Sequence, residues 1–158
     1  MYKYFDRNEN DDISLHDCKA TKISTRKDIL SLEFEDGFWV SENNRHNPYG
    51  KLLATDKSRV DFRLVYDEPE ENVTFYLFKE KKHGKVIRKQ YSLKKLMKKI
   101  NEKGKELEFL YAYQGYNSII FECWLWQKKK PYHRECVLIV STDDIIYRWN
   151  QICENKTW

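Results

Sequence analysis

Glycine is scarce in this chain, with five residues among 158, and local geometry claims all of them. Gly37 and Gly84 sit in hairpin-type turns, Gly104 follows a helical pattern, Gly115 lies in a connection and Gly50 stands beside Pro48 in a polar loop. None remains to build a phosphate cradle. The signatures G-x-x-x-x-G-K-[ST], G-x-G-x-x-G and G-x-S-x-G are absent, which removes the backbone machinery of nucleotide hydrolysis, dinucleotide redox chemistry and α/β-hydrolase chemistry. Cysteine is also sparse: Cys18, Cys123, Cys136 and Cys153 are too few for a disulfide scaffold, and no C-x-x-C pair marks a zinc knuckle or redox centre. No run approaches the ~18 to 20 apolar residues of a membrane helix, and the opening MYKYFDRNENDD has no apolar signal region. We therefore expect a soluble, cytoplasmic protein with reduced thiols and no cofactor.

What is present is an unusual separation of charge. Between Lys79 and Lys105, 27 residues carry twelve Lys/Arg against Glu80 and Glu102, a net +10, while the other 131 residues sum to −6. Such a field attracts acidic partners or polyanions. With 41% hydrophobic and 15% aromatic residues, the chain suits a single domain over 1–158 with a substantial core.

Period-two alternation dominates and argues for strands. Leu30, Leu32 and Phe34 alternate with Ser31, Glu33 and Glu35, and Asp36-Gly37 supplies a two-residue turn that would pair Phe34 with Trp39. Residues 41–58 read as a long surface loop. Alternation resumes at Val60, Phe62, Leu64 and Tyr66, stops at the acid-rich 67–72, and returns from Val73 to Phe78. A tight turn at His83-Gly84 would pair Glu80 with Ile87, Phe78 with Lys89 and Tyr76 with Tyr91. One helix is expected over Leu93 to Lys103, with Ser92 as N-cap, Leu93, Leu96, Met97 and Ile100 on its apolar stripe, and Gly104 as an αL stop.

Beyond Glu106 the pattern is a β-meander: Leu107 to Tyr113, Ser118 to Trp126, then His133 to Ser141 after Lys128, Lys129, Lys130 and Pro131. If that last hairpin centres between Lys129 and Lys130, Cys123 and Cys136 are cross-strand neighbours. Val137 to Val140 reads as a central strand covered on both faces, and Ile145 to Trp149 as an edge strand or a short helix capped by Asp143 and Asp144. The expected class is α+β, mainly β: antiparallel sheets as a sandwich or curled sheet, with one amphipathic helix packed on it.

His16-Asp17-Cys18 holds the parts of a base or thiol site, but neighbours on a strand point to opposite faces, so the expectation is an Asx-type turn opening the first strand with Cys18 buried. The scattered His46, His83 and His133 do not form a metal set. The candidate binding residues are therefore Lys82, Lys85, Arg88, Lys94, Lys95, Lys98 and Lys99 in the basic hairpin and helix, and Trp124 and Trp126 on one side of their strand. The simplest reading of those tryptophans, with Phe121, Cys123 and Leu125 opposite them, is a central core strand; an aromatic partner surface is the alternative.

Leu15-His16-Asp17-Cys18, followed by an alternating strand and by Phe34-Glu35-Asp36-Gly37-Phe38-Trp39, resembles small uncharacterised bacterial proteins of domain-of-unknown-function type, some of them grouped with immunity proteins of toxin systems. The resemblance covers about 25 residues and implies a β-rich binding protein without catalysis. Together these readings lead us to expect a non-enzymatic interaction domain that binds a protein partner. Non-specific nucleic-acid binding through 79–105 is the alternative, with strong salt dependence as its mark.

Overall fold

The computed structural model describes residues 1–8 and 10–157. In chain order it contains β1 (Tyr4–Arg7), β2 (Ile13–Ser14), β3 (Cys18–Ala20), β4 (Lys22–Arg26), β5 (Ile29–Phe34), β6 (Trp39–Val40), β7 (Leu53–Thr55), β8 (Ser58–Leu64), α1 (Pro69–Asn72), β9 (Val73–Glu80) and β10 (Val86–Tyr91). Helix α2 (Leu93–Met97) runs on as a π-helical turn over Lys98–Glu102, followed by β11 (Glu106–Gly115), β12 (Ser118–Trp126), β13 (His133–Trp149) and β14 (Ile152–Thr157). The class is α+β, mainly β, with antiparallel sheets.

Strand β13 organises the molecule. Its first half pairs with β12 on one side and β9 on the other, while its second half pairs with β8 and β1. The switch lies at a bulge between Thr142 and Asp144, where one extra residue breaks the register. Buried positions are even before the bulge (Cys136, Leu138, Val140) and odd after it (Ile145, Tyr147, Trp149), as a period-two chain with one inserted residue requires. One half-sheet therefore reads β11-β12-β13-β9-β10 and the other β1-β13-β8-β5-β4. A smaller sheet, β14-β7-β6-β2, lies beside them.

The inner faces of the half-sheets meet through aromatic rings. Phe109 and Phe121 stand edge to face at 4.9 Å, Phe121 reaches Phe62 at 6.0 Å, and Phe109 reaches Phe34 at 5.7 Å. All four are essentially inaccessible, so burial and ring geometry act together, each ring pair adding about 0.5–1.5 kcal/mol beyond its area. Helix α2 closes the gap between β9 and β4, and Leu93, Leu96 and Ile100 enter the core with Met97 half-buried. It is fixed at both ends. Ser92 Oγ accepts from the Lys95 amide and the Glu70 carboxylate accepts from the amides of Leu93 and Lys94. In the π turn, Asn101 pairs with both backbone groups of Ile23 on the edge strand β4, at 3.0 and 2.7 Å. Gly104 takes φ +58°, the expected αL stop.

Several expectations need correction. Phe34 does not pair with Trp39: β5 lies between β4 and β8, and the Asp36-Gly37 turn sends the chain into the smaller sheet, where Trp39 faces Ser14 and Ala54. Residues 41–58 are not a surface loop, because they supply β7 and bury Asn44 and Asn47. Asn47 Nδ2 donates to the carbonyls of Val40, Ser41 and Lys51, and Asn44 with Arg45 grips the inaccessible Asp6 of β1. The β9–β10 hairpin is one residue out of the expected register: Val86 faces Glu80 and Tyr91 faces Phe75, since the turn holds both His83 and Gly84 at positive φ between the Lys81–Lys85 hydrogen bond. That slip returns Tyr91 to the face of Phe75. Ile145 to Trp149 is neither an edge strand nor a helix, but the central second half of β13. Two strands precede the Cys18 strand, and Tyr66 lies beyond β8 and is exposed.

Candidate binding surfaces

Strand registers define the outer face of the β11–β13, β9, β10 half-sheet. One cross-strand row reads Arg88, Phe78, Glu135, Trp124, Glu108, where Phe78 and Glu135 are neighbours by the β9–β13 register and the rest pair directly. The next reads Gln90, Tyr76, Val137, Glu122, Tyr111, and a third Thr74, Ile139, Ile120, Tyr113. Among the described residues no helix covers these rows in the manner that α2 covers the inner face, although Glu108 is buried and the His16 ring lies 5.6 Å from that of Tyr111. Tyr111 is 57% exposed, Tyr113 52% and Ile120 38%, while Tyr76, Phe78, Trp124, Val137 and Ile139 are half-buried.

The face is preorganised at one end. His133 stacks on Trp124 with centroids 4.4 Å apart and leans on Trp126 at 5.0 Å. The Trp126 indole N–H donates to Glu108, and Lys19 Nζ lies 4.6 Å from the Trp126 ring. At the other end the Arg88 guanidinium lies 4.5 Å from the Tyr76 ring centroid, a cation–π contact. The expected core role of the Trp124 and Trp126 side is therefore corrected. Their strand is central in pairing, yet only Ile119, Phe121, Cys123 and Leu125 enter the core.

The basic segment divides among four places. Lys82 and Lys85 stand exposed at the hairpin tip; Arg88 belongs to the outer face; Lys94, Lys95 and Lys98 are exposed on the helix, Lys98 with Glu102 at 3.8 Å. Lys99 belongs to a cluster around the Tyr91 ring, which we call the mouth. There Lys99, Lys89 and Lys79 lie 4.7, 5.5 and 5.9 Å from the centroid of the half-buried Tyr91 ring. Lys103, Lys105 and Arg134 are close enough to act electrostatically on this group. Burial depresses the Lys99 ammonium, helped by Lys103, Lys79 and Arg134; burial, Lys99, Arg134 and Lys103 do the same to Lys105. For Tyr91, burial alone would raise the phenol, but the Lys79 hydrogen bond and the charges of Lys79, Lys99 and Lys89 outweigh it and lower it. Sequence reasoning missed Lys79, Lys89, Tyr91, Lys105 and Arg134 as a set because the hairpin slip hid which residues share the inner side.

His16, Asp17 and Cys18 serve the fold. Asp17 takes φ +58°, its amide donates to Phe109 O, and the Cys18 amide closes the turn on Leu15 O at 2.9 Å. His16 Nδ1 bonds the Leu110 carbonyl, and the His16 carbonyl accepts the Trp39 indole N–H. Burial pushes the Cys18 thiol up to about 12, so at neutral pH it is protonated and a poor nucleophile. A cavity of about 450 Å³ lies beside this turn, lined by His16, Tyr111 and Tyr147, with the Tyr147 hydroxyl donating to Asn10 at 2.5 Å. Cys123 and Cys136 are directly opposite, as the hairpin count expected, and both are free thiols.

Among the described residues, no group of three or more His, Cys, Asp or Glu could hold a metal ion, and no helix is long and apolar enough to cross a membrane. Comparison with family models, with curated protein sequences and with solved structures returned no match.

Proposed function

We propose that this chain is a non-enzymatic, cytoplasmic protein-binding domain whose working surface is the outer face of the β11-β12-β13-β9-β10 half-sheet. The supporting observation is the uncovered set of rows in which Tyr76, Phe78, Tyr111, Tyr113, Ile120, Trp124, Val137 and Ile139 form one continuous patch. Aromatic residues held rigidly by sheet pairing bring large contact area at small entropic cost, and such rings are the usual anchors of protein interfaces. Glu122 and Glu135 stand among them, so the complementary partner surface is apolar and basic. A protein-binding role without catalysis is also what the resemblance at the Leu15-His16-Asp17-Cys18 segment implies.

The test is recovery of the tagged chain from its native host with a stoichiometric partner, comparing wild type with Ile120→Arg and Val137→Arg. Either substitution should abolish recovery while leaving the thermal midpoint within a few degrees, since both side chains face outward. A partner retained equally by both variants, or no stoichiometric partner at all, refutes the proposal.

A second reading, non-specific nucleic-acid binding by 79–105, is favoured by the exposed Lys82, Lys85, Lys94 and Lys95, none of which has an ion pair among the described residues. It requires an affinity that falls steeply with salt and collapses on charge reversal along the helix.

A further inference from the structure

Three lysines from three parts of the chain converge on the Tyr91 ring, Lys79 from β9, Lys89 from β10 and Lys99 from the π turn, and Lys103, Lys105 before β11 and Arg134 from β13 lie within electrostatic reach, six cations in all. None has a carboxylate within ion-pair distance among the described residues, although elsewhere the chain pairs Lys19, Lys22, Lys57, Lys98 and Lys156 with acids. Like charges are gathered here by the fold, not merely displayed on a solvated helix.

The gathering is also held in place. Lys105 Nζ donates to Gln127 Oε1 at 2.8 Å, and Gln127 is itself fixed through its side-chain donation to Pro131 O and its amide bond to Tyr132 O. The Tyr91 ring gives Lys79, Lys89 and Lys99 a common hub and offers a hydroxyl within the ring of ammonium groups. Where β9 and β13 part beyond the Leu77–Cys136 pair, a groove of about 440 Å³ opens at the edge of this cluster, with Lys79 and Arg134 on its lining together with Phe78, Glu80, His133 and Glu135.

We propose that the mouth is a binding site for a compact, multiply charged phosphate anion, a diphosphate group of a small molecule, held by Lys79, Lys89, Lys99, Lys105 and Arg134 with the Tyr91 hydroxyl as an additional donor. Convergence on one point favours this ligand over a long polyanion, which would be served better by charges strung along a track. The groove at its edge shares Phe78 and Glu135 with the outer sheet face, whereas Tyr91, Lys99 and Lys105 are outside the outer-face rows, so a failure at Lys99→Gln is distinguishable from a failure at Ile120→Arg.

The experiment is calorimetric titration of the full chain with sodium pyrophosphate, with sodium sulfate at matched ionic strength and with a single-stranded RNA decamer. Pyrophosphate should bind at one site per chain at least tenfold more tightly than sulfate. Lys99→Gln and Arg134→Gln should each weaken it about tenfold, and Lys94→Gln should leave it unchanged. Should the variants fail to fold, NMR of reductively ¹³C-methylated lysines in the otherwise wild-type chain reads the same site: pyrophosphate should shift the signals of Lys99 and Lys105 but not those of Lys128 to Lys130. Equal binding of sulfate and pyrophosphate overturns the proposal, and so does RNA binding that outcompetes pyrophosphate and is lost on Lys94→Gln.

Discussion

Replacing Gly37 by alanine should cost far more than the same change at Gly84, and the difference can be worked from the structure. Both glycines have positive φ, +81° and +71°, so each alanine must accept the left-handed region at about 1–2 kcal/mol. At Gly84 nothing lies within 4 Å of the added Cβ, and the cost stops there. At Gly37 the Cβ would stand 2.2 Å from Thr55 O, 2.5 Å from Thr55 Oγ1 and 2.6 Å from Asp56 O. Two of these atoms are backbone and cannot rotate away. Thr55 is further committed, since its Oγ1 accepts from the Phe38 amide at 3.0 Å and its amide donates to Phe38 O at 2.8 Å. Relief means moving β7 off β6, which adds about 1–3 kcal/mol of overpacking strain. The expected totals are roughly 2–5 kcal/mol for Gly37→Ala and about 1–2 kcal/mol for Gly84→Ala. Urea denaturation at 25 °C, fitted with a common slope, measures both. Equal losses within ~0.5 kcal/mol would refute the packing of the Gly37 turn against Thr55.

Asn101→Ala should cost about 2 kcal/mol in the same assay, because it strands the Ile23 amide and carbonyl on the edge of β4; an unchanged midpoint would mean that the π turn does not dock there. Cys18 sets an alkaline limit. Its folded pKa is raised from 9.0 to about 12, so the folded state holds the proton more tightly, and this contribution is complete below pH 9 and lost as pH rises toward 12. Relative to Cys18→Ala, the wild type should lose about 2.5 kcal/mol between pH 7 and pH 11, and parallel pH profiles would show that the thiol is not buried in solution. Glu70→Ala should lower stability by about 1 kcal/mol by freeing the amides of Leu93 and Lys94, seen as a lower urea midpoint; no change would mean that the helix start is capped by Ser92 alone.

What the sequence disclosed was local. The α2 segment was legible because Ser92, the Leu93, Leu96, Ile100 stripe and Gly104 are all within a dozen residues of one another. The β12–β13 hairpin was legible because its turn length fixes the register and places Cys123 against Cys136. The pairing of β5 with β8 was not, since the Asp36-Gly37 signal promises a hairpin and only the distant β8 explains why Leu32 faces Val60 instead. The parity change in β13 was equally hidden: a bulge at Asp143 inserts one residue in a run that reads as two separate strands. Consequences for the candidate sites follow directly. A one-residue slip at His83-Gly84 moved Tyr91 and Lys89 to the inner side and concealed the mouth, and β12, apolar on both sides, gave no sign that one of them faces outward.

The claim that the outer half-sheet face is the working surface is tested most directly by hydroxyl-radical footprinting of the chain alone and in its purified complex. Labelling of Tyr111, Tyr113, Phe78 and Trp124 should fall together on complex formation, with Phe5, Tyr49 and Tyr66 unchanged. Protection of Phe5, Tyr49 or Tyr66 with the four outer-face rings still labelled would contradict it.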